Sequence, residues 1–396
     1  MISEIAKNIA PSSTLAISAK AKELRGKGIP ILGFGVGEPD FNTPEYINEA
    51  AKNAIENGFT KYTAAAGILP LREAIAKKLN EENKVSYTPE QIVVNSGAKH
   101  SLFNAFMAVL NPGDEVIIPA PYWLSYTEMV KIVGAVPKVV RPSKQNGYKL
   151  QADELKNAIT TKTKAIIINS PSNPTGLVYS KEELKQLADI AISKDLWIIS
   201  DEIYEYLVYE GTEHVCIASL SDEIYNHTIV INGFSKGFAM TGWRVGYTAS
   251  PLEVAKAMSN IQSHAVSHPS SISQKAAEAA LTGDRTSIHH MIAEFAKRRD
   301  YMYNGLCEIP GLDVLKPYGA FYCLVDVSGL YGKSYEGTII NNEATLAKLL
   351  LDVAEMAVVP CEDFGIPNCI RLSYAVGIDV IETGIARLKK LVSNLQ

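Results

Sequence analysis

Short apolar runs alternate with longer amphipathic segments along the first two-thirds of the chain. The runs are rich in Ile and Val, as buried β-strands are. They lie at Ile92–Asn95, Glu115–Pro119, Ala165–Asn169, Leu196–Ser200 and Thr228–Asn232. The segments between them show the apolar spacing of helices, most clearly at Lys181–Ser193. This alternation predicts an α/β fold in which helices flank a mainly parallel central sheet.

The order and spacing of the predicted elements change towards the C-terminus. Helix-like and strand-like segments follow one another there at Glu294–Leu306, Ala320–Val327, Ala344–Ala354 and Ile370–Tyr374. They predict a second, smaller α+β unit, and a length of 396 residues suits two or three folding units. The expected division is an N-terminal segment packing with the small domain over residues 1–45, a large domain over 46–290 and a small domain over 291–396.

Composition narrows the classes of protein to consider. With 47% hydrophobic residues, 20% charged residues and a formal net charge of −5, the chain resembles a globular protein and lacks the basic surplus that binds nucleic acid. Its first residues have no signal-peptide core, and no apolar stretch is long enough to span a membrane, so we expect a cytoplasmic protein. Five cysteines without a CxxC pair predict neither a metal site nor disulfides.

Polar residues follow three of the predicted strands. Asn173 comes after the third apolar run, Asp201 and Tyr204 after the fourth, and Lys236 after the fifth. Ligands on open α/β sheets bind at the carboxyl ends of the strands. If these strands are neighbours in the sheet, the four side chains share one crevice.

Lys236 lies beside glycines just after a buried strand. Partial burial would depress its pKa from about 10.4 towards neutrality and make it a nucleophile. A lysine taken at random is far more often a solvated surface residue. Its neighbour Arg244 changes that balance, because a planar guanidinium among small residues binds phosphate through two hydrogen bonds.

The segment Gly233–Gly246 matches the cofactor-attachment pattern of class I and II aminotransferases at every constrained position. Further matching segments are Gly37–Phe41, Lys61–Thr63 with Gly67, Pro121–Trp123, Asn169–Gly176, Asp201–Tyr204 and Arg371–Tyr374. The chain thus resembles, over nearly its whole length, a fold-type I, class I aminotransferase dependent on pyridoxal 5'-phosphate (PLP). It is most similar to the bacterial aspartate aminotransferase branch, which has thermophilic and prephenate-accepting members.

This resemblance implies roles around the cofactor. Lys236 would attach PLP covalently and act as general base, and Asp201 would keep the ring nitrogen protonated. Tyr204 and Asn173 would hydrogen-bond the cofactor's phenolic oxygen, and Trp123 would stack on its ring. Each of the last four also has a plainer alternative: a helix N-cap for Asp201, a turn residue for Asn173, a core residue for Tyr204 and a core or interface tryptophan for Trp123.

A turn at Gly97 is the expected phosphate site. A helical pattern begins just after it, and the free N–H groups at a helix start bind anions. The resemblance implies that the amides of Ala98 and Lys99, the Ser235 hydroxyl and Arg244 complete the phosphate cup.

The resemblance also implies how substrate and partner are bound. Arg371 would pair with the substrate's α-carboxylate, with a surface salt bridge as its alternative. The backbone at Gly37 would close over the substrate, which Trp123 and Asn173 also border. Tyr62 would reach the phosphate in the other subunit of a homodimer, unless it is only a surface turn tyrosine.

The distal end of the substrate is the most open question. The enteric and animal aspartate enzymes use a second arginine, and the segment Ser263–Pro269 offers none here. Lys99 is our hypothesis for that contact, against a surface lysine near the phosphate.

The expected reaction is amino transfer from L-aspartate to 2-oxoglutarate, giving oxaloacetate and L-glutamate with ping-pong kinetics. Aromatic, prephenate, alanine or methionine transamination on the same machinery is one alternative. Others are a PLP-dependent β-lyase and a PLP-sensing regulator that no longer catalyses. The regulator would need a DNA-binding extension, and only about 35 residues precede the Gly37 segment.

Overall fold

The computed structural model of the chain describes residues 2–209 and 211–396. Its helices, α1 to α14 in chain order, are Glu4–Lys7, Ser13–Gly26, Glu45–Glu56, Leu69–Glu81, Ala98–Val109, Ser125–Ile132, Ala152–Ala158, Lys181–Ser193, Asp222–Asn226, Leu252–Ala265, Ser271–Thr282, Thr286–Cys307, Glu343–Asp352 and Ile378–Ser393. Its strands, β1 to β15, are Leu32–Gly33, Ile92–Asn95, Glu115–Pro119, Val136–Val140, Thr163–Asn169, Trp197–Asp201, Thr228–Gly233, Gly246–Ala249, Asp313–Leu315, Tyr322–Asp326, Ser334–Tyr335, Thr338–Ile339, Met356–Ala357, Val359–Pro360 and Cys369–Ser373.

Seven strands form the central sheet in the order β2-β8-β7-β6-β5-β3-β4. The pairs from β7 to β4 are parallel, and β8 runs antiparallel to both of its neighbours. Successive side chains of β5 point to opposite faces, so Ile167 packs under α5, α6 and α10 while Ile166 and Ile168 pack against α7 and α8. The predicted α/β fold with a mainly parallel sheet is confirmed.

The predicted strands and helices agree with the observed ones to within a few residues, with one exception. β2, β3 and α8 begin and end where the pattern placed them. β5 and β7 differ by one or two residues at one end, and β6 is shifted by one residue at both ends. α12 begins eight residues before the helix predicted at Glu294–Leu306. It therefore runs through the expected boundary at residue 290, and the division into domains stays a prediction.

A second sheet, in the order β14-β15-β10-β9, is formed near the C-terminus. All of its pairs are antiparallel. It shares a core with α12, α13 and α14 in which Phe295, Phe321, Leu350 and Leu388 are almost fully buried. This sheet matters for the site because β15 carries Arg371.

The N-terminal segment is held against this C-terminal sheet. β1 pairs in parallel with β13, and the amide of Ser373 donates to the carbonyl of Phe34 at 2.7 Å. Those bonds bring Gly35 and Gly37 next to β15 and so next to the cavity described below. Within the described ranges, no helix has the length and apolar character needed to cross a bilayer. The five cysteines are free thiols, and all but Cys307 are buried.

Candidate active site

A cavity of about 740 Å³ lies at the carboxyl ends of β5, β6 and β7, between the central sheet, the N-terminal segment and β15. Most of the residues predicted from sequence line it: Gly37, Ala98, Lys99, Trp123, Asn173, Asp201, Tyr204, Ser235, Lys236, Arg244 and Arg371. Gly97 lies behind this wall, against the guanidinium of Arg244. Tyr62 does not border the cavity.

Lys236 follows β7 by three residues and is half-buried. Its Nζ donates to the carbonyl of Gly37 and lies 5.6 Å from the ring centroid of Phe321. Burial lowers the pKa of Lys236 from its ordinary 10.5 to about 8, although the nearby Glu38 carboxylate opposes the shift. At pH 8 about half of such amines are neutral, compared with about 0.3% at the ordinary pKa. The environment therefore makes Lys236 a nucleophile and base, unlike a solvated surface lysine.

Asp201 is the last residue of β6 and is only 3% exposed. Its Oδ2 accepts a hydrogen bond of 2.6 Å from the hydroxyl of Tyr126. Burial raises the pKa of Asp201 to about 6, and the bond from Tyr126 opposes that rise. No Lys, Arg or His of the described residues forms an ion pair with it. The N-cap alternative is wrong, because turns rather than a helix follow β6.

Arg371 is 2% exposed and carries a charge that lacks an acidic partner among the residues described. Its Nη1 donates to Oδ1 of Asn173 at 2.9 Å, and its Nη2 donates to the carbonyl of Gly35 at 3.0 Å. The guanidinium lies 4.2 Å from the ring centroid of Tyr322, and its Nε has no hydrogen-bond partner. A buried charge without a counter-ion is costly, so the surface salt bridge alternative does not hold and the site suits an anionic ligand.

Tyr204 and Asn173 both lie near Arg371, Asn173 through a direct hydrogen bond and Tyr204 through its contact with Tyr322. The hydroxyl of Tyr204 lies 2.9 Å from that of Tyr322, and burial raises the pKa of Tyr204 well above its ordinary value, so the hydroxyl stays protonated. Asn173 lies in the turn after β5, where its backbone N–H donates to Oδ1 of Asn169. Its side-chain Oδ1 accepts from Arg371, which leaves its Nδ2 to donate to a ligand. Both side chains can therefore offer hydrogen bonds to a ligand in the cavity.

Trp123 and Lys99 form an adjoining wall. The Nζ of Lys99 lies 4.8 Å from the centroid of the Trp123 ring, a distance at which a cation is attracted to an indole. Burial, and then the charge of Arg244, lower the pKa of Lys99. Trp123 meets Tyr126 edge to face at 5.5 Å. This wall offers a flat apolar face beside a cation without an ion-pair partner in the described part of the chain.

An anion cradle surrounds the start of α5. Gly97 is the N-cap of this helix at a φ of +87°, and the amides of Ala98 and Lys99 donate to no acceptor among residues 2–209 and 211–396. A Cβ at Gly97 would lie 2.5 Å from a terminal nitrogen of Arg244, so only glycine lets this guanidinium approach the turn. Ser235 lines the cavity as well. Together these donors can surround a phosphate.

Tyr62 is 90% exposed, and its ring meets the edge of His268 at 5.7 Å. It lies outside the cavity of its own chain. Its predicted contact with the cofactor of a partner subunit stays a prediction.

Sequence reasoning missed three residues that shape the site. The sequence pattern did not single out Tyr126, although it falls three residues after Trp123. Asn169 was noted only as the first residue of the segment Asn169–Gly176, and Tyr322 was not noted at all. Tyr322 becomes visible only when β10 pairs with β15, because Leu324 lies opposite Arg371 and Tyr322 occupies the diagonal position on the same face.

Residues 29–388 match the family model for class I and II aminotransferases. The chain belongs to this family. An aspartate aminotransferase of Bacillus sp. strain YM-2 is 48% identical over 386 residues, covering 98% of this chain and 97% of that protein. A probable aspartate/prephenate aminotransferase of Aquifex aeolicus is 46% identical, with 98% of each chain covered. The solved aspartate aminotransferase of Thermus thermophilus with maleate superposes with a TM-score of 0.93 at 42% identity, covering 99% of both chains.

This aminotransferase family depends on PLP, and the cavity has the features that such a cofactor requires. The phosphate needs an anion cradle, which the start of α5 and Arg244 provide. A protonated ring nitrogen needs a carboxylate that is not already paired with a cation, and Asp201 is one. Covalent attachment needs an amine with an accessible neutral form, and burial lowers the pKa of Lys236 to about 8. The residues present therefore fit the cofactor.

Proposed function

We propose that the chain is a PLP-dependent aspartate aminotransferase that transfers the amino group of L-aspartate to 2-oxoglutarate by a ping-pong mechanism. The observation that carries the proposal is the buried, uncompensated guanidinium of Arg371 in the same cavity as Lys236 and Asp201. A carboxylate-bearing substrate would supply the missing counter-charge within reach of a nucleophilic amine. The names of the relatives from Bacillus and Thermus agree with aspartate as the donor.

The cofactor would be held by residues from several strand ends. Lys236 would bind it covalently, the amides of Ala98 and Lys99 with Ser235 and Arg244 would hold its phosphate, and Asp201 would pair with its ring nitrogen. Asn173 and Tyr204 would hydrogen-bond its phenolic oxygen, and Trp123 would lie against its ring. When bound, PLP supplies an electron sink for the bond broken at the substrate's Cα.

Proton movement falls to the chain's own residues. With its pKa lowered to about 8, the Nζ of Lys236 can take a proton from the substrate's Cα and release it again near neutral pH. The Tyr126 hydroxyl and the backbone N–H of Ile203 donate to Asp201 and so favour its charged form. Tyr204 stays protonated and so can donate a hydrogen bond to a ligand.

Two cations of the cavity lining would orient the substrate. Arg371, positioned by Asn173 and by the carbonyl of Gly35, would bind the α-carboxylate through two parallel hydrogen bonds. Lys99, on the wall beside Trp123, would bind the distal carboxylate. The backbone at Gly37 already contacts Lys236 and would close over the bound substrate.

The assembly and location are part of the same proposal. We place the cofactor on a large domain, residues 46–290, and the substrate between it and the units over 1–45 and 291–396. The functional form would be a cytoplasmic homodimer in which Tyr62 of each subunit reaches the neighbouring site, which suits its exposure of 90%.

Prephenate or aromatic transamination is the second candidate. The lining of the cavity includes Ser12 just before α2 and Thr14 and Ser18 on it, and its volume of about 740 Å³ suits a donor bulkier than aspartate. The relative from Aquifex is named for both aspartate and prephenate.

A panel of amino donors tests both candidates. The purified protein with added PLP is assayed against 2-oxoglutarate with aspartate, phenylalanine, tyrosine and alanine, and against prephenate with aspartate or glutamate as donor. Aspartate should give the highest kcat/KM among the donors to 2-oxoglutarate. Faster transfer from the aromatic donors would favour the second candidate, and no transfer from any donor would refute an aminotransferase function.

A further inference from the structure

The charged lining of the cavity is mostly cationic, although the chain as a whole carries a formal net charge of −5. Six basic residues border it: Lys22, Arg25, Lys99, Lys236, Arg244 and Arg371. Among the described residues, only Glu38 and Asp201 contribute acidic side chains to the lining. A cleft lined by charge of one sign focuses the field and raises the local concentration of counter-ions. The cavity is therefore an attractive region for anions on an otherwise acidic molecule.

Four of these six cations already have roles in the proposed function, but Lys22 and Arg25 do not. They lie three residues apart on α2, so their side chains share one face of the helix. That face borders the cavity, on a helix that packs against β1, β13 and β14. Both residues are exposed, so they add positive charge on the solvent side of the cavity.

Neither cation is neutralised by a neighbour in the described part of the chain. Lys22 is exposed and forms no hydrogen bond or ion pair there. The nearby acid on the same helix, Glu23, is paired with Lys20 and Lys27. The Nε of Arg25 donates to the carbonyl of Ile31 at 2.8 Å, which fixes its guanidinium in place without cancelling its charge.

We propose that Lys22 and Arg25 form an outer cationic site that draws dianionic 2-oxo acids into the cavity. This inference rests on the proposed function, in which 2-oxoglutarate is the acceptor. That acid carries two negative charges, whereas aspartate carries a net charge of −1 because of its ammonium group. An electrostatic attraction scales with the ligand's charge, so the outer site favours the 2-oxo acid over the amino acid.

The outer site acts before the substrate reaches Arg371. Exposed charges influence ligands over a screening length of about 10 Å at 0.1 M salt. Their effect therefore falls on kcat/KM, which includes entry, and leaves kcat unchanged. Lys22 is the residue to test, because Arg25 also anchors the backbone at Ile31 and its loss would disturb that segment.

The test measures kcat/KM of the PLP-loaded enzyme for 2-oxoglutarate and for aspartate as a function of salt. The wild type is compared with Lys22→Gln, with Lys22→Arg as the variant that retains the charge. Lys20→Gln is the matched control, because it removes the same charge from the same helix at a residue that is paired with Glu23 and does not border the cavity. Raising NaCl from about 20 mM to about 500 mM shortens the screening length from roughly 20 Å to roughly 4 Å.

At low salt, Lys22→Gln should lower kcat/KM for 2-oxoglutarate about two- to fivefold and for aspartate by less. The difference from wild type should vanish at high salt, kcat should not change, and Lys22→Arg should behave as wild type. The inference is overturned if Lys22→Gln overlays wild type at low salt, if Lys20→Gln shows an equal loss, or if the loss persists at high salt. A wild type that transfers no amino group to 2-oxoglutarate would instead refute the proposed function.

Discussion

Replacing Tyr126 with Phe should raise the pKa of Asp201 and move the acid limb of the enzyme's activity to higher pH. Tyr126 is 1% exposed, and its hydroxyl donates to Oδ2 of Asp201 at 2.6 Å. Phe fills the same space without the hydroxyl, so the change removes the bond and little else. What is lost is a hydrogen bond that stabilises the charged form of Asp201.

The size of the effect follows from the strength of such bonds. A hydrogen bond to a charged group contributes about 1.5–3 kcal/mol, which corresponds to about one to two pKa units. Since the pKa of Asp201 is already about 6, the variant's carboxyl would titrate near or above neutrality. A raised pKa means that the required carboxylate is lost at a higher pH. At pH 7 the ionised fraction would fall from about nine-tenths to between about a half and a tenth, with recovery near pH 9.

The assay is the pH profile of kcat/KM for aspartate in wild type, Tyr126→Phe and Tyr374→Phe. Tyr374 is a matched control, because it is also fully buried and its hydroxyl donates to the carbonyl of Ala320, away from the cavity. The protonated ring of bound PLP would lower the pKa of Asp201 by the same amount in all three enzymes. The quantity to compare is therefore the shift in pH of the acid limb between one enzyme and another. Coincident acid limbs for wild type and Tyr126→Phe, or an equal displacement in Tyr374→Phe, would show that this bond does not control Asp201.

Three further substitutions test the remaining assignments. Lys236→Ala should abolish turnover of amino acids and the covalent attachment of the cofactor; a variant that keeps both would exclude Lys236 as the attachment site. Arg371→Lys should lower kcat/KM about 10- to 100-fold for aspartate and phenylalanine alike, because a lysine cannot form two parallel bonds to the shared α-carboxylate; a loss confined to aspartate would place Arg371 at the distal end. Lys99→Ala should lower kcat/KM more than about tenfold for aspartate but not for phenylalanine, and equal losses would contradict its assignment to the distal carboxylate.

The central sheet was predictable where its strands are buried on both faces. Such strands read as continuous apolar runs, and all five predicted runs became β2, β3, β5, β6 and β7. β4 and β8 were missed for different reasons. β4 is an edge strand whose residues are exposed or half-buried, so its pattern is weak. β8 is a four-residue segment with a glycine, and its place between β2 and β7 depends on antiparallel pairing with distant parts of the chain.

The site was predictable to the extent that it lies at strand ends. Asn173, Asp201 and Lys236 come together because β5, β6 and β7 are adjacent and parallel, which the alternation of elements implies. Tyr126 and Tyr322 were not predictable in this way. One reaches Asp201 across 75 residues from a helix, and the other reaches Arg371 through the pairing of two strands in a different sheet. Contacts of that kind depend on tertiary packing rather than on local pattern.

Burial acts in opposite senses on the two ionisable groups at the centre of the cavity. It raises the pKa of Asp201 from 3.8 to about 6 and lowers that of Lys236 from 10.5 to about 8, so the gap between them narrows from 6.7 to about 2. Both shifts disfavour the charged forms and so cost folding stability at neutral pH. Arg371 adds a third buried charge that lacks an acidic partner among the described residues. A fold selected for stability alone would pair or remove these charges, whereas a ligand with a cationic ring and carboxylate groups would compensate them. The unfavourable electrostatics of the cavity are thus an argument for its function.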